Sequence, residues 1–177
     1  MKPLLFLDID GVLNGDSARF SEHHTVVIDP ATLPVSPFTI SPADEAPIEL
    51  DVDVDPRHRD YLASLAEHFE LVWASTWEHL ANVHIAPLFD LPELPFVELA
   101  AEPACRRRAG DLEDVADWKW RSLLRHAGPR PLAFVDDQAH RLASNHHLRP
   151  EPTLVLYTPY GLTKEHVDRL IDFAQSL

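Results

Sequence analysis

Asp8-Ile9-Asp10-Gly11-Val12-Leu13-Asn14 sets two carboxylates two residues apart, with a glycine to turn the chain after them. Phosphoryl transfer needs an anionic nucleophile that a cation can bring up to an anionic phosphate, and a second group that handles protons; this spacing supplies both. The same short pattern also fits an inert or calcium-binding acidic turn, so it does not stand alone. Three further positions carry groups that such a reaction uses. Ser75-Thr76 offers two hydroxyls, although a hydroxyl at such a position commonly does no more than cap the next helix. Lys119 is one of only three lysines in the chain, and an ammonium is a compact positive charge for a crowded anionic site; taken alone it fits a solvated helix surface equally well. Asp136-Asp137 is a second source of carboxylate oxygen, which a hard, octahedral Mg²⁺ needs once one Asp and one backbone carbonyl are in place.

These groups can act together only if the fold ends several strands at one place. Lys2-Pro3-Leu4-Leu5-Phe6-Leu7 is a short continuous apolar run, as in a strand buried on both faces of a parallel sheet, and it stops at Asp8. Glu70-Leu71-Val72-Trp73-Ala74 stops at Ser75-Thr76, and Pro131-Leu132-Ala133-Phe134-Val135 stops at Asp136-Asp137. Phe96-Val97-Glu98-Leu99 reads as a further strand between them, and Thr153-Leu154-Val155-Leu156-Tyr157 as the last. Helical spacing fills the intervals. Asp55-Pro56 provides an N-cap and a proline at the first helical position for a helix to about His68, and Trp77, Leu80, Ala81, His84 and Ile85 share a face directly after Ser75-Thr76. Trp120, Leu123, Leu124 and Ala127 mark a helix ending before Gly128-Pro129, another helix is expected from Gln138 to about His146, and Thr163 caps one that buries Val167, Leu170, Ile171 and Ala174.

Strands alternating with helices predict an α/β, Rossmann-like three-layer sandwich around a central parallel sheet, with ligands bound beyond the carboxyl ends of the strands. Asp8, Ser75-Thr76 and Asp136-Asp137 should therefore converge. The chain, 1–177, reads as a single domain, and the proline-rich stretch from Gly15 to Asp55 reads as a flap or small-cap insertion within it. In that insertion Thr25-Val26-Val27-Ile28 and Phe38-Thr39-Ile40 are expected to pair as short strands. The 43 residues between Ser75 and Lys119 already hold a helix, a strand and a loop, which leaves no room there for a large cap.

Leu7-Asp8-Ile9-Asp10-Gly11-Val12-Leu13-Asn14 resembles the first motif of the haloacid dehalogenase (HAD) superfamily, and Ser75, Lys119 and Asp136-Asp137 follow in the order of its remaining motifs. The likeness covers nearly the whole chain. It implies a HAD-like phosphatase in which Asp8 forms a phospho-aspartate and Asp10 serves as general acid and then general base. It further implies that Ser75, or Thr76 beside it, hydrogen-bonds the transferred phosphate and that Lys119 stabilises the charge on nucleophile and phosphate. The implied cofactor is Mg²⁺, held by Asp8, the carbonyl of Asp10 and the Asp136-Asp137 pair, with Asp137 the direct ligand and Asp136 in support.

A finer likeness rests on Val72-Trp73-Ala74-Ser75-Thr76-Trp77-Glu78 with Ala81-Asn82, on Trp118-Lys119-Trp120 and on Gly161-Leu162-Thr163. These resemble HAD domains associated with RNA-repair proteins, which implies a phosphorylated small molecule or a nucleic-acid end as partner. The commoner use of Trp77, Trp118 and Trp120 would be packing in the core.

Composition narrows the alternatives. The chain is 45% hydrophobic and 25% charged, and no apolar run approaches the ~20 residues that span a bilayer, so no membrane partner is expected; Met1-Lys2-Pro3 leads straight into the first strand-like run, unlike a signal peptide, so a cytoplasmic location is expected. A net charge of −14 argues against a broad basic surface for nucleic acid, although Arg106 to Arg149 carries a local excess of +3, nine Lys or Arg less six Asp or Glu. Cys105 is the sole cysteine and reads as a spare thiol, and the pairs His23-His24 and His146-His147 lack the spacing of a zinc site. Three other readings stay open: a phosphatase of a small metabolite, a catalytically silent HAD-like phosphate-binding module, and a phospho-acceptor receiver domain. Asp8 and Asp10 together speak against the silent module, and an acceptor at the end of the first strand speaks against the receiver.

Overall fold

The structure is a computed structural model that describes residues 1–33, 46–99, 115–144 and 152–177. Expectations that fall on Phe38-Thr39-Ile40, Cys105, Arg106-Arg107-Arg108 and His146-His147 lie outside the described residues. Among the described residues the strands and α-helices follow in chain order as β1 (Leu4–Leu7), β2 (Glu22–Ile28), β3 (Ile48–Val54), α1 (His58–His68), β4 (Glu70–Trp73), α2 (Val115–Ala127), β5 (Leu132–Asp136), α3 (His140–Ser144), β6 (Thr153–Tyr157) and α4 (Lys164–Gln175).

The apolar runs make a parallel sheet in the order β4-β1-β5-β6. Its register decides where the polar ends fall. Leu7 lies level with Trp73 on one side and Val135 on the other, so the next residues, Asp8, Ala74 and Asp136, reach the carboxyl edge together. Side chains along β1 alternate between the two faces, as the period of two requires. Leu5 and Leu7 enter a core with Leu62 and Leu65 of α1 and Val167 and Leu170 of α4, while Leu4 and Phe6 enter another with Trp120 and Leu123 of α2 and Leu142 of α3. Helices thus cover both faces. Burial of each such side chain is worth about 1.5–3 kcal/mol, which is what holds a two-sided sheet in register.

Local signals set most helix ends. Asp55 accepts from the backbone N–H of Arg57 at the start of α1, Gly128 takes a left-handed conformation (φ +57°) just past α2, and the Thr163 hydroxyl accepts from His166 N–H at the start of α4.

Two expectations are corrected. Phe96-Val97-Glu98-Leu99 does not form a strand of the sheet: Phe96 makes one parallel bridge to Trp73, flanked by Trp73 N–H to the Pro95 carbonyl at 2.9 Å and Val97 N–H to the Trp73 carbonyl at 2.9 Å. Pro95 has no N–H to extend that ladder, and Leu99 N–H turns away to the Glu78 carboxylate at 2.7 Å. The segment after Ser75-Thr76 is not a regular α-helix but a π-helical turn (Ala81–Ile85) followed by a 3₁₀ turn (Ala86–Phe89). Pro87 interrupts the ladder, and Asn82 ties the turn sideways by accepting from Trp73 Nε1 at 2.9 Å and Leu94 N–H at 3.0 Å. The predicted apolar face is still buried at Trp77, Leu80, Ala81 and Ile85. The structure adds a strand that the sequence reading did not name: Ile48–Val54 pairs antiparallel with Glu22–Ile28, from Glu22↔Val54 to Ile28↔Ile48. The pair's inward residues, Val26, Ile28, Val52 and Val54, join the same core as Leu62 and Trp77. Among the described residues no helix is long and apolar enough to cross a membrane.

Candidate active site

Asp8 follows β1, Asp136 ends β5 and Lys119 lies on α2, which packs over the face holding Leu4 and Phe6. These three meet. Lys119 Nζ donates to Asp8 Oδ2 at 2.6 Å and to Asp136 Oδ2 at 2.9 Å, and all three side chains are almost wholly buried. The other oxygens are held by the backbone: Ile9 N–H donates to Asp8 Oδ1 at 2.9 Å and Gln138 N–H to Asp136 Oδ1 at 2.7 Å. A buried charge is tolerated only when paired and hydrogen-bonded, and here each carboxylate has both.

Charge is nevertheless out of balance. The Asp8 carboxyl stands raised to about 8, because burial pushes it up, the Lys119 ammonium pulls it down and the Asp136 charge pushes it up again. For Lys119, burial opposes the charge, but the two carboxylates outweigh it and hold the ammonium above its ordinary value. Asp137, half-buried, is raised to about 6, first by burial and then by Asp136 and Asp10 against the pull of Lys119. One oxygen from each of Asp8, Asp136 and Asp137 lies within 4.8 Å of the other two. Three acids around one ammonium form a donor set that fits a hard divalent cation, which would relieve the repulsion raising Asp137. The glycine of the first motif makes this crowding possible, because Gly11 sits at φ +78° with the Asp137 side chain in the space that a Cβ would need.

Asp10 is placed differently from the other acids. Its carboxylate accepts from Asn14 Nδ2 at 2.8 Å on Oδ1 and from Trp77 Nε1 at 2.9 Å on Oδ2. The Asn14 side chain is held in turn, its Oδ1 accepting from Asp53 N–H of β3 at 2.9 Å. Ser75 is buried beyond β4, one step past the Ala74 N–H that bonds the Leu7 carbonyl, whereas Thr76 is exposed. Neither hydroxyl is bonded to another described residue. The structure therefore brings Asp8, Lys119, Asp136 and Asp137 together, sets Asp10 beside them on its own pair of donors, and leaves Ser75 at the edge of the adjacent strand.

Asn14 and Trp77 are the contacts that sequence reasoning missed. Asn14 belongs to the first motif but its spacing assigns it no role, and the position of Trp77 predicts core packing. Trp77 is indeed buried, but its polar edge is spent on Asp10.

A family model described as the HAD domain in Swiss Army Knife RNA repair proteins matches residues 4–167. No curated protein and no solved structure matches the chain. The match spans both halves of the sheet and every group in the site, and the parallel α/β architecture agrees with a HAD-type hydrolase domain. The chain belongs to the family of HAD domains in Swiss Army Knife RNA repair proteins.

Proposed function

We propose that this domain is a Mg²⁺-dependent phosphatase working through a phospho-aspartate on Asp8, with nucleotide or nucleic-acid-end phosphates as its substrates. The observation that supports it most is the buried Asp8–Lys119–Asp136 contact at the ends of adjacent parallel strands. Asp8 attacks phosphorus, an oxygen–phosphorus bond forms, and the bond to the leaving oxygen breaks as Asp10 gives that oxygen its proton. Asp10, now a carboxylate, takes a proton from the water whose oxygen attacks the phospho-aspartate. The Asp8–phosphorus bond then breaks, phosphate leaves, and Asp10 is again protonated. Lys119 draws the buried nucleophile toward its charged form against the effect of burial, and offsets the negative charge that gathers in each transition state.

Asp8, the backbone carbonyl of Asp10 and Asp137 would hold Mg²⁺, with Asp136 orienting Lys119 and the metal-side acids. The ion would neutralise the phosphate so that an anionic nucleophile can approach it. Ser75 or Thr76 would hydrogen-bond the transferred phosphate, and the burial of Ser75 beside β1 favours it. A nucleic-acid end, rather than a long tract, suits both the family's tie to RNA repair and a chain of net charge −14. That same acidity favours a second reading, a small phosphorylated metabolite. The working location proposed is the cytoplasm.

Phosphate release measured over nucleotides, sugar phosphates and 3′- or 5′-phosphorylated oligonucleotides, with Asp8→Asn as control, tests the proposal. Release from one substrate class that vanishes in Asp8→Asn supports it. Absence of release from every class with Mg²⁺ present would leave a silent phosphate-binding module.

A further inference from the structure

We propose that Trp77 and Asn14 are positioning residues that aim the Asp10 carboxylate at the leaving oxygen; this rests on the phosphatase reading above. Asp10 is solvent-exposed and lies in the loop after β1, a setting in which an Asp side chain ordinarily samples several rotamers. Here it has no such freedom. The indole N–H of Trp77 holds Oδ2 at 2.9 Å and the amide N–H of Asn14 holds Oδ1 at 2.8 Å, so the plane of the carboxylate is fixed from two sides.

A buried Trp normally finds some acceptor for its N–H, and that need alone would account for one of the two bonds. It does not account for the second. Nor does it account for the way each donor is itself anchored. Asn14 is gripped through its own Oδ1 by Asp53 N–H, and next to it Gly15 N–H bonds the Asp53 carbonyl at 3.1 Å. Trp77 stands in a turn whose next residue, Glu78, takes the left-handed conformation at φ 46° although it is not glycine. Glu78 is buried and accepts from Leu99 N–H, so the turn that carries Trp77 is tied to the chain beyond β4. A non-glycine residue at positive φ is a cost that surrounding contacts must sustain, and its result here is an indole aimed at Asp10.

The chemical consequence follows from what Asp10 must do. It gives a proton to the leaving oxygen while the phosphorus–oxygen bond breaks, and later takes one from water. A misaimed acid matters little when the leaving group departs readily as an anion, as p-nitrophenolate does. It matters greatly when the leaving group is an alkoxide, which needs its proton as the bond breaks.

The experiment compares kcat/KM for p-nitrophenyl phosphate and for an alkyl phosphate in the wild-type chain, Asp10→Asn, Trp77→Phe and Asn14→Leu, each checked for folding by thermal melting. Trp77→Phe keeps an aromatic ring in the core and removes the donor together with part of the ring volume, a loss that acts on both substrates alike. The expected result is a loss of about tenfold or more on the alkyl phosphate with less than about threefold on p-nitrophenyl phosphate, for each positioning variant. An equal loss on both substrates, or no loss on either, overturns the proposal. If one variant does not fold, the other decides. Asp10→Asn separates the two levels of the argument. If it shows no preference against the alkyl substrate, the assignment of Asp10 itself fails. If it shows that preference and neither Trp77→Phe nor Asn14→Leu does, only the positioning role fails.

Discussion

A Cβ added to Gly11 would lie 2.4 Å from both Cγ and Oδ2 of Asp137, closer than any real Cβ approaches another heavy atom. The turn after Asp10 and the acid pair at the end of β5 are thus packed together on the condition that residue 11 has no side chain. Gly11→Ala adds a methyl at that contact and also puts a substituted residue at φ +78°. It is expected to cost about 1–3 kcal/mol of stability and to lower turnover by displacing Asp137. Urea melts and phosphate release check this together; a variant that matches the wild type in both would show that the contact is dispensable.

Lys119 is the sole described cation on the Asp8 and Asp136 oxygens it bridges. Lys119→Met would leave two buried carboxylates sharing a site without their counter-charge, a change expected to cost about 3–5 kcal/mol. Combining it with Asp8→Asn removes one of the stranded charges, so the double variant should be more stable than Lys119→Met alone. Additive losses in urea melts would mean that the ammonium does not act through Asp8.

Asp137 gives a pH dependence with a definite sign. Its folded carboxyl is raised to about 6 from the usual 3.8, so between those values the folded chain holds a proton that the unfolded chain has released. The stability from this group is complete below the unfolded value and is lost as pH rises through the folded one. With chelator present, the stability advantage of Asp137→Asn over the wild type should therefore grow between about pH 4 and about pH 6 and level off above. Asp8 titrates in both proteins and drops out of the comparison. With Mg²⁺ added, the wild type should gain more stability than the variant, because the ion binds the folded site that Asp137 helps to form. An advantage that shrinks as pH rises, or equal stabilisation by Mg²⁺, would contradict the assignment.

The β2–β3 hairpin is proposed to act as a flap over the carboxyl ends of the strands, yet its inner face belongs to the main core. The two roles are separable by face. Ile28 is fully buried, and Ile28→Ala should cost about 2–5 kcal/mol. Val27 is 54% exposed on the opposite face, and Val27→Ser should shift stability by no more than about 0.5 kcal/mol while changing KM across a phosphate panel. Unchanged KM values for every substrate would argue that this face does not meet substrate.

Much of this was legible from the chain because the signals are local. Each apolar run ended in its polar group, and a parallel register then forces Asp8 and Asp136 to one edge. The strand Thr153–Tyr157 and the Thr163 cap are read from neighbours alone. β3 is harder to read for a different reason: Ile48-Glu49-Leu50-Asp51-Val52-Asp53-Val54 alternates strictly, but it lies in a proline-rich stretch that masks its strand character. The turn after β4 looked helical because its apolar spacing is helical, while Pro87 and the Asn82 side chain decided its backbone. Contacts such as Trp77 to Asp10, 67 residues apart, are fixed by tertiary geometry and leave no trace in spacing.

The central claim is that Asp8 carries the phosphoryl group. With p-nitrophenyl phosphate, whose leaving group departs without a proton from Asp10, Asp10→Asn should slow the attack of water more than the formation of the intermediate and let it accumulate, so the decisive measurement is mass spectrometry of the acid-quenched variant after mixing with that substrate and Mg²⁺. The account predicts one added phosphoryl group on the peptide that contains Asp8, absent when Asp8→Asn is also present. Steady turnover by the wild type with no phosphoryl group on that peptide, together with retained turnover in Asp8→Asn, would contradict it.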